Sequence, residues 1–338
     1  MDKEPYVVIL GSAEASAELA SRGQSSGNGR CKLLGHFSVN GSWSAERAGK
    51  LPHLGVAEGL RDYILRNPVD VVMVAAPLSA ALFRELLAPI LEIGLTVAVP
   101  RTAAVSLDRD TLEGTFACQR TFLGMDSTLL TRIPSRRGYE FSKRALDLIL
   151  SACGLILLAP LLLLTALAVR LSSPKGSVLY RLDWVGKNGR PFTGYKFRTM
   201  VPDADKLKGE LFPFNEMQGP VFKMTNDPRV TRLGRVLRKY SIDELPQLYS
   251  VLKGDLSLVG PRAPLREEAE RFEFWQRRKL SVKPGITCLW QIRGRSEIHS
   301  FDEWVDLDLQ YIEKASFLLD LGILLLTIPA VLSGRGAS

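Results

Sequence analysis

Two adjacent carboxylates, Asp243 and Glu244, sit in the stretch Tyr240-Ser241-Ile242-Asp243-Glu244-Leu245-Pro246-Gln247-Leu248. Ahead of them Arg229, Arg232, Arg235 and Arg238 recur at every third residue, and Lys239 comes directly before the segment. An acidic pair set among cations is what a phosphorylated, metal-bound substrate needs, since the cations meet phosphate oxygens and the carboxylates meet a hard divalent ion. The same spacing fits a different role. Ser241-x-x-Glu244 is also a capping box, in which two side chains satisfy orphan backbone N–H groups of a new helix. On spacing alone both alternatives stay open.

The 338 residues suffice for two domains, each with its own core. Apolar residues make up 46% and charged residues 24%, both near the globular average, so neither wholesale disorder nor a many-helix membrane bundle is indicated. Charge is unevenly placed. Residues 1–134 carry 13 Lys+Arg against 14 Asp+Glu and residues 135–338 carry 31 against 22, so the net +8 resides in the second part. That part calls for an anionic partner: nucleic acid, anionic lipid or a phosphorylated substrate. No interleaved aromatics or nucleic-acid-binding motif accompany the basic residues, which flank an apolar segment instead, so nucleic acid is not the expected partner.

Cys31, Cys118, Cys153 and Cys288 are scattered, without C-x-x-C spacing, and are expected to be reduced, mostly buried thiols of a cytosol-facing protein. His36, His53 and His299 are isolated, which argues against a zinc or histidine-based centre. No signal-peptide pattern opens the sequence, so residues 1–134 are expected in the cytoplasm.

In the first part, Tyr6 to Gly11 reads as a strand and an Ala-rich helical segment follows it. Ser21 to Gly29 reads as a polar loop, Lys32 to Val39 as a second strand, Leu60 to Leu65 as helix, Val69 to Ala75 as strand, Ala80 to Ile93 as helix, and Leu95 to Val99 as another buried strand. Strands alternating with helices predict a Rossmann-type parallel sheet. The turn Gly11-Ser12-Ala13-Glu14-Ala15-Ser16 puts Ala where a phosphate-cradling loop wants Gly. A structural or regulatory module is therefore favoured over a nucleotide- or CoA-binding one. Residues 100–137 read as the passage between domains.

Leu148 to Val169 carries no charged residue and is long enough to cross a bilayer core as a helix. Pro160 sits near its middle, and the flanks are basic on both sides, with Arg136, Arg137, Lys143 and Arg144 before and Arg170 and Lys175 after. A simple span is biased in Lys/Arg toward one end. A helix that enters one leaflet, bends at Pro160 and returns fits symmetric flanks better, with a buried soluble core helix as the alternative. A second apolar run, Phe317 to Leu332, is interrupted by Asp320 and Pro329. Beyond Lys175, Gly186, Gly189 and Gly194 punctuate a short hairpin. Glu267 to Lys279 reads as a charged helix with Phe272, Phe274 and Trp275, either lying at an interface or simply solvated.

Six ordered motifs then carry a resemblance: Lys143-Arg144-Ala145-Leu146-Asp147, Tyr195-Lys196-Phe197-Arg198-Thr199-Met200, Asp227-Pro228-Arg229-Val230-Thr231, the dyad segment, Leu252 through Arg262, and Lys283-Pro284-Gly285-Ile286-Thr287 with Leu289-Trp290-Gln291. From about residue 138 to the C-terminus the sequence resembles the bacterial sugar transferases, the monotopic polyprenyl-phosphate phosphoglycosyl transferases. The resemblance implies an α/β chain: a Rossmann-like domain over 1–134, and a mainly helical α+β catalytic domain over 138–338 anchored by a re-entrant helix, 145–170, broken at Ala159 and Pro160. It implies transfer of sugar-1-phosphate from a UDP-sugar, UDP-glucose or UDP-galactose by analogy, onto undecaprenyl phosphate. The step would release UMP and begin an exopolysaccharide or surface glycan, at the cytoplasmic face of the bacterial inner membrane among its lipids.

In the same way the resemblance implies that Asp243 is the nucleophile and Glu244 its partner, that both meet a required Mg²⁺, and that Arg238, Arg262, Lys196 and Arg198 bind the substrate phosphates. A carboxylate attacking the β-phosphorus displaces UMP and splits one hard transfer into two easier ones. Glu244 either helps to hold Mg²⁺ or acts as a base. Pro261-Arg262-Ala263-Pro264 departs from the family, in which a second proline often follows the arginine. Larger members usually carry four transmembrane helices ahead of the Rossmann-like domain, whereas this sequence begins at that domain. A homodimer is compatible with this organisation. A non-catalytic, membrane-docked regulator is the alternative, and the intact dyad and arginines count against it.

Overall fold

The computed structural model describes residues 4–25, 31–39, 51–103, 105, 112–292 and 298–333. The chain divides into two compact units, Met1–Ser135 with Asn188–Arg190, and Arg136–Lys187 with Pro191–Ser338.

The first unit is built on a seven-stranded sheet. β1 (Tyr6–Gly11), β2 (Lys32–Ser38), β3 (His53–Val56), β4 (Val71–Ala75) and β5 (Thr96–Pro100) run parallel in the order β3-β2-β1-β4-β5. Val7, Val8, Ile9 and Leu10 are all fully buried, so both faces of β1 are covered, as parallel strands require. The Rossmann-type expectation is met in this half. Gly11 is explained by packing between strands, because a Cβ there would lie 2.6 Å from the Ala75 Cβ on β4.

Three details differ from the expectation. The helix expected over Ala80 to Ile93 is two segments, Ala80–Leu86 and Ala88–Glu92, with Pro89 opening the second, where its missing N–H costs nothing. The helix Ala13–Ser25 takes the start of the expected polar loop, and residues 26–29 of that loop lie outside the described residues. Residues 100–137 are more than a passage: β6 (Phe116–Phe122) and β7 (Met125–Thr131) form a hairpin, and β7 joins the sheet antiparallel to β5.

In the second unit two helices, Arg137–Leu157 and Ala159–Ser172, meet at a 61° bend. The break falls at Leu158, with Pro160 in the first turn of the second helix. Proline lacks an N–H and crowds the carbonyl four residues before it, so a straight helix through this point is excluded. No single described helix is long and apolar enough to cross a membrane. β8 (Leu179–Val185) and β9 (Pro191–Phe197) form the expected hairpin, and Gly194 lets the Trp184 ring lie on the β9 backbone, where a Cβ would come within 2.2 Å of the ring. β10 (Ser257–Val259) and β11 (Gly285–Thr287) pair in parallel.

The core of this unit gathers Val185, Met217, Phe272, Leu280, Cys288, Trp290, Phe301 and Trp304. Phe272 and Phe274 are therefore buried, and the single charged helix expected over Glu267 to Lys279 is replaced by a short helix, Arg266–Ala269, and a 3₁₀ segment, Trp275–Ser281. Phe272 and Phe274 thus belong to the core, whereas Trp275 is 40% exposed. The thiols also depart from expectation: all four are free, but only Cys288 is buried, while Cys118 and Cys153 are exposed.

Candidate active site

The dyad is presented by a turn with specific local causes. Thr231 caps the helix Arg232–Lys239, its Oγ1 accepting the Gly234 N–H at 2.9 Å. Gly234 packs on the Thr199 carbonyl so closely that a Cβ would lie 2.0 Å from its oxygen. At the far end Ser241 adopts φ 52°, a left-handed conformation uncommon for a residue with a Cβ, while its N–H donates to the Arg238 carbonyl at 3.0 Å. The chain then turns through a 3₁₀ segment, Ile242–Glu244. Ser241 makes no side-chain cap, and the capping box of the sequence is not formed. Glu244 Oε1 instead accepts from Lys196 Nζ on β9 at 2.5 Å. Asp243 is 6% exposed.

Three residues of the first motif fasten the helix Arg137–Leu157 to this region. Arg144 donates to the carbonyls of Val251 (2.7 Å) and Leu252 (2.8 Å), satisfying the open C-terminal end of the helix Gln247–Lys253 that follows the dyad. Asp147, buried, accepts from Ser257 Oγ at 3.0 Å and the Leu258 N–H at 2.9 Å on β10. Lys143 donates to the Val259 carbonyl and forms a 2.8 Å ion pair with Asp320 of the helix Phe317–Ser333. Asp320 also accepts from the hydroxyls of Tyr311 and Tyr139. Sequence reasoning marked the motif but not these functions, since every partner lies more than 100 residues away.

One cleft of about 1270 Å³ is lined by Asp243, Glu244, Lys196, Arg198, Arg238 and Arg262 together. Arg238 Nε donates to Thr199 Oγ1 at 3.1 Å. Burial lowers its affinity for the proton, while the charges of Asp243 and Asp227 act the other way. The Arg262 guanidinium lies 5.5 Å from the centre of the Trp304 ring, which stacks on Trp290 at 4.4 Å. Arg198 is differently engaged: it donates to the Ser177 carbonyl and Oγ and leans on Tyr180. Ala159 and Pro160 are not among the residues that line the cleft.

A buried ion pair in the cleft wall was not anticipated. Arg229 holds Asp227 through contacts of 2.6 and 3.0 Å, both side chains 6% exposed. Burial pushes the Asp227 carboxyl up, and the hydrogen bonds and charge of Arg229 outweigh that, leaving it below the ordinary carboxylate range. Asp227-Pro228-Arg229 was the available signal.

Among the described residues no group of three or more His, Cys, Asp or Glu side chains forms a metal cage. Two neighbouring carboxylates suit Mg²⁺, which commonly takes one or two protein carboxylates and completes its shell with water and substrate phosphates.

The model of the bacterial sugar transferase family matches residues 138–334, which take in every element of this cleft. The chain belongs to that family. Among the relatives of this sugar transferase, galactosyl transferase CpsE of Streptococcus agalactiae is 46% identical over 207 residues, 60% of this chain and 46% of the relative. Exopolysaccharide production protein ExoY of Rhizobium meliloti is 41% identical over 200 residues, 58% of this chain and 88% of ExoY. Undecaprenyl-phosphate galactose phosphotransferase of Salmonella typhimurium is 37% identical over 224 residues, 64% of this chain and 46% of the relative. The sugar transferase thus spans about half the length of CpsE and of the Salmonella protein, and most of ExoY.

Proposed function

We propose that this sugar transferase moves a sugar-1-phosphate from a UDP-sugar, UDP-glucose or UDP-galactose, to undecaprenyl phosphate, beginning an exopolysaccharide or surface glycan. The observation that carries this reading is the meeting of Asp243 and Glu244 with Lys196, Arg238 and Arg262 in one cleft. It is supported by relatives named for undecaprenyl-phosphate galactose phosphotransfer and exopolysaccharide production.

An Asp243 carboxylate oxygen attacks the β-phosphorus, the bond from that phosphorus to the bridging oxygen breaks, and UMP leaves. An oxygen of undecaprenyl phosphate then attacks the same phosphorus, releasing Asp243 and forming the diphosphate-linked sugar. Arg238 and Arg262 offset the diphosphate charge that would otherwise repel Asp243, and Arg suits this because its fork meets phosphate oxygens in pairs. Lys196 fixes the Glu244 carboxylate. Asp243 and Glu244 are the residues that would hold Mg²⁺, which when bound neutralises phosphate charge. Arg198, engaged with Ser177, serves phosphate binding from the rim.

The bent pair acts as a re-entrant anchor, entering and leaving on the cytoplasmic face of the inner membrane. Ile156, Leu157, Leu163, Leu164 and Leu171 on it are each at least 65% exposed, an apolar surface that water does not favour. An anchor in one leaflet brings the cleft to an acceptor confined to the membrane plane. Residues 1–134 serve as a structural or regulatory module, and residues 138–338 as the catalytic domain.

The test is UMP release from detergent- or nanodisc-held protein given Mg²⁺, undecaprenyl phosphate and a panel of UDP-sugars. Release with one sugar, lost in Asp243→Asn, is the expected result. Silence across the panel from folded protein would favour the regulator.

A further inference from the structure

The arginines that recur every third residue ahead of the dyad do not share one role. Arg229 is consumed by Asp227, and Arg238 reaches inward to Thr199. Arg232 and Arg235 remain on the outside of the helix Arg232–Lys239, together with Lys239. These positions, with Val236, recur at i, i+3, i+4 and i+7, so they form one stripe along the helix. All four are exposed, Val236 by 52%, and Tyr240 just beyond is 40% exposed. Among the described residues neither Arg232, Arg235 nor Lys239 pairs with a carboxylate.

The opposite face is fixed. Leu233 and Leu237 pack with Leu162, Ala166 and Val169 of the helix Ala159–Ser172, the second half of the bent pair. A stripe whose charged residues are all cationic is thereby attached to the apolar helix, along a contact that runs from Leu162 to Val169, three residues before its C-terminal end.

We propose that the stripe Arg232, Arg235 and Lys239 is a docking face for anionic phospholipid headgroups of the bilayer that receives the bent pair. This rests on the re-entrant reading given above. Charge complementarity selects the occupant: every charged residue of the stripe is cationic, and an anionic leaflet concentrates phosphates in the plane that the anchored helix would meet. Tyr240 adds the amphipathic ring found at that depth, and Val236 an exposed apolar side chain. Since the same helix leads directly into Ser241 and the dyad, headgroup contact would set the height of the cleft above the leaflet.

The test is flotation of full-length protein, diluted from detergent, with vesicles of phosphatidylcholine alone or of phosphatidylcholine mixed with phosphatidylglycerol, both free of polyprenyl phosphate. The wild type should partition more strongly into the anionic vesicles. Each cation is worth about fivefold there, so Arg232→Gln/Arg235→Gln/Lys239→Gln should lose about a hundredfold of that gain and keep its partitioning into phosphatidylcholine. Added salt should shrink the gain as well. A charge-matched control, Arg66→Gln/Arg84→Gln/Arg120→Gln, should keep it. Equal partitioning of the wild type into both vesicles would overturn the proposal and leave the re-entrant reading standing. So would equal losses in the stripe variant and the control, or a stripe variant that loses both vesicle types alike. No partitioning into either vesicle would overturn both.

Discussion

Lys196 Nζ stands 2.5 Å from Glu244 Oε1, so strand β9 is tied to the turn that carries Asp243. A hydrogen bond to a charged group of this kind contributes about 1.5–3 kcal/mol. Lys196→Met is therefore expected to lower kcat by about 10- to 100-fold and the melting temperature by several degrees. If the two act as a unit, Lys196→Met/Glu244→Gln will be no slower than the worse single variant. Steady-state UMP release checks both points.

Arg144 closes the C-terminal end of the helix Gln247–Lys253 with two charge-assisted hydrogen bonds. Removing it leaves two helix-end carbonyls to find other partners, at a cost of about 2–3 kcal/mol. Arg144→Met should lower the thermal midpoint in detergent, and Arg144→Lys, which lacks the planar fork, should recover only part of the loss.

The Lys143–Asp320 pair is buried and shared with two tyrosine hydroxyls. Breaking it from one side leaves an uncompensated charge, so Asp320→Leu should cost about 3–5 kcal/mol. Lys143→Met/Asp320→Leu should be more stable than Asp320→Leu alone, because replacing a whole buried pair is far less costly than halving it. Denaturant midpoints of the wild type, Lys143→Met, Asp320→Leu and the double variant complete the cycle.

Asp227 gives stability a pH dependence of definite sign. Its folded carboxyl holds the proton less tightly than an unfolded one, so its contribution is fully present above the ordinary Asp range and is lost as pH falls through the lower folded value. The stability gap between wild type and Asp227→Asn should thus be constant from pH 7 down to about pH 5 and shrink on further acidification. A gap that widened below that point would contradict the arrangement with Arg229.

Much of the fold was legible where one pattern decides it. Continuous β-branched runs such as Val7 to Leu10 mark strands buried on both faces, and the Leu148 to Val169 run with Pro160 placed the bend to within two residues of Leu158. The hairpin of β6 and β7 was missed because β6 is an edge strand exposed along nearly its whole length, which leaves no alternation to read. The helix expected from Glu267 failed because its charges conceal Phe272 and Phe274, which the core claims. At the site, motif order pointed to the residues that share the cleft, but spacing alone kept the capping box alive. Only the left-handed Ser241 and the Lys196 contact removed it, and both depend on packing that no local spacing encodes. Arg144 and Asp147 were likewise opaque, since their partners come from distant stretches of chain.

Whether Asp243 becomes covalently loaded is the most direct question. Intact-mass analysis of the protein mixed with Mg²⁺ and UDP-galactose or UDP-glucose, without acceptor, should show an adduct of one hexose phosphate. Peptide mapping should place it on Asp243, Asp243→Asn should not form it, and undecaprenyl phosphate should discharge it. Formation of the lipid-linked product by Asp243→Asn at an undiminished rate would contradict the assignment of Asp243 as nucleophile.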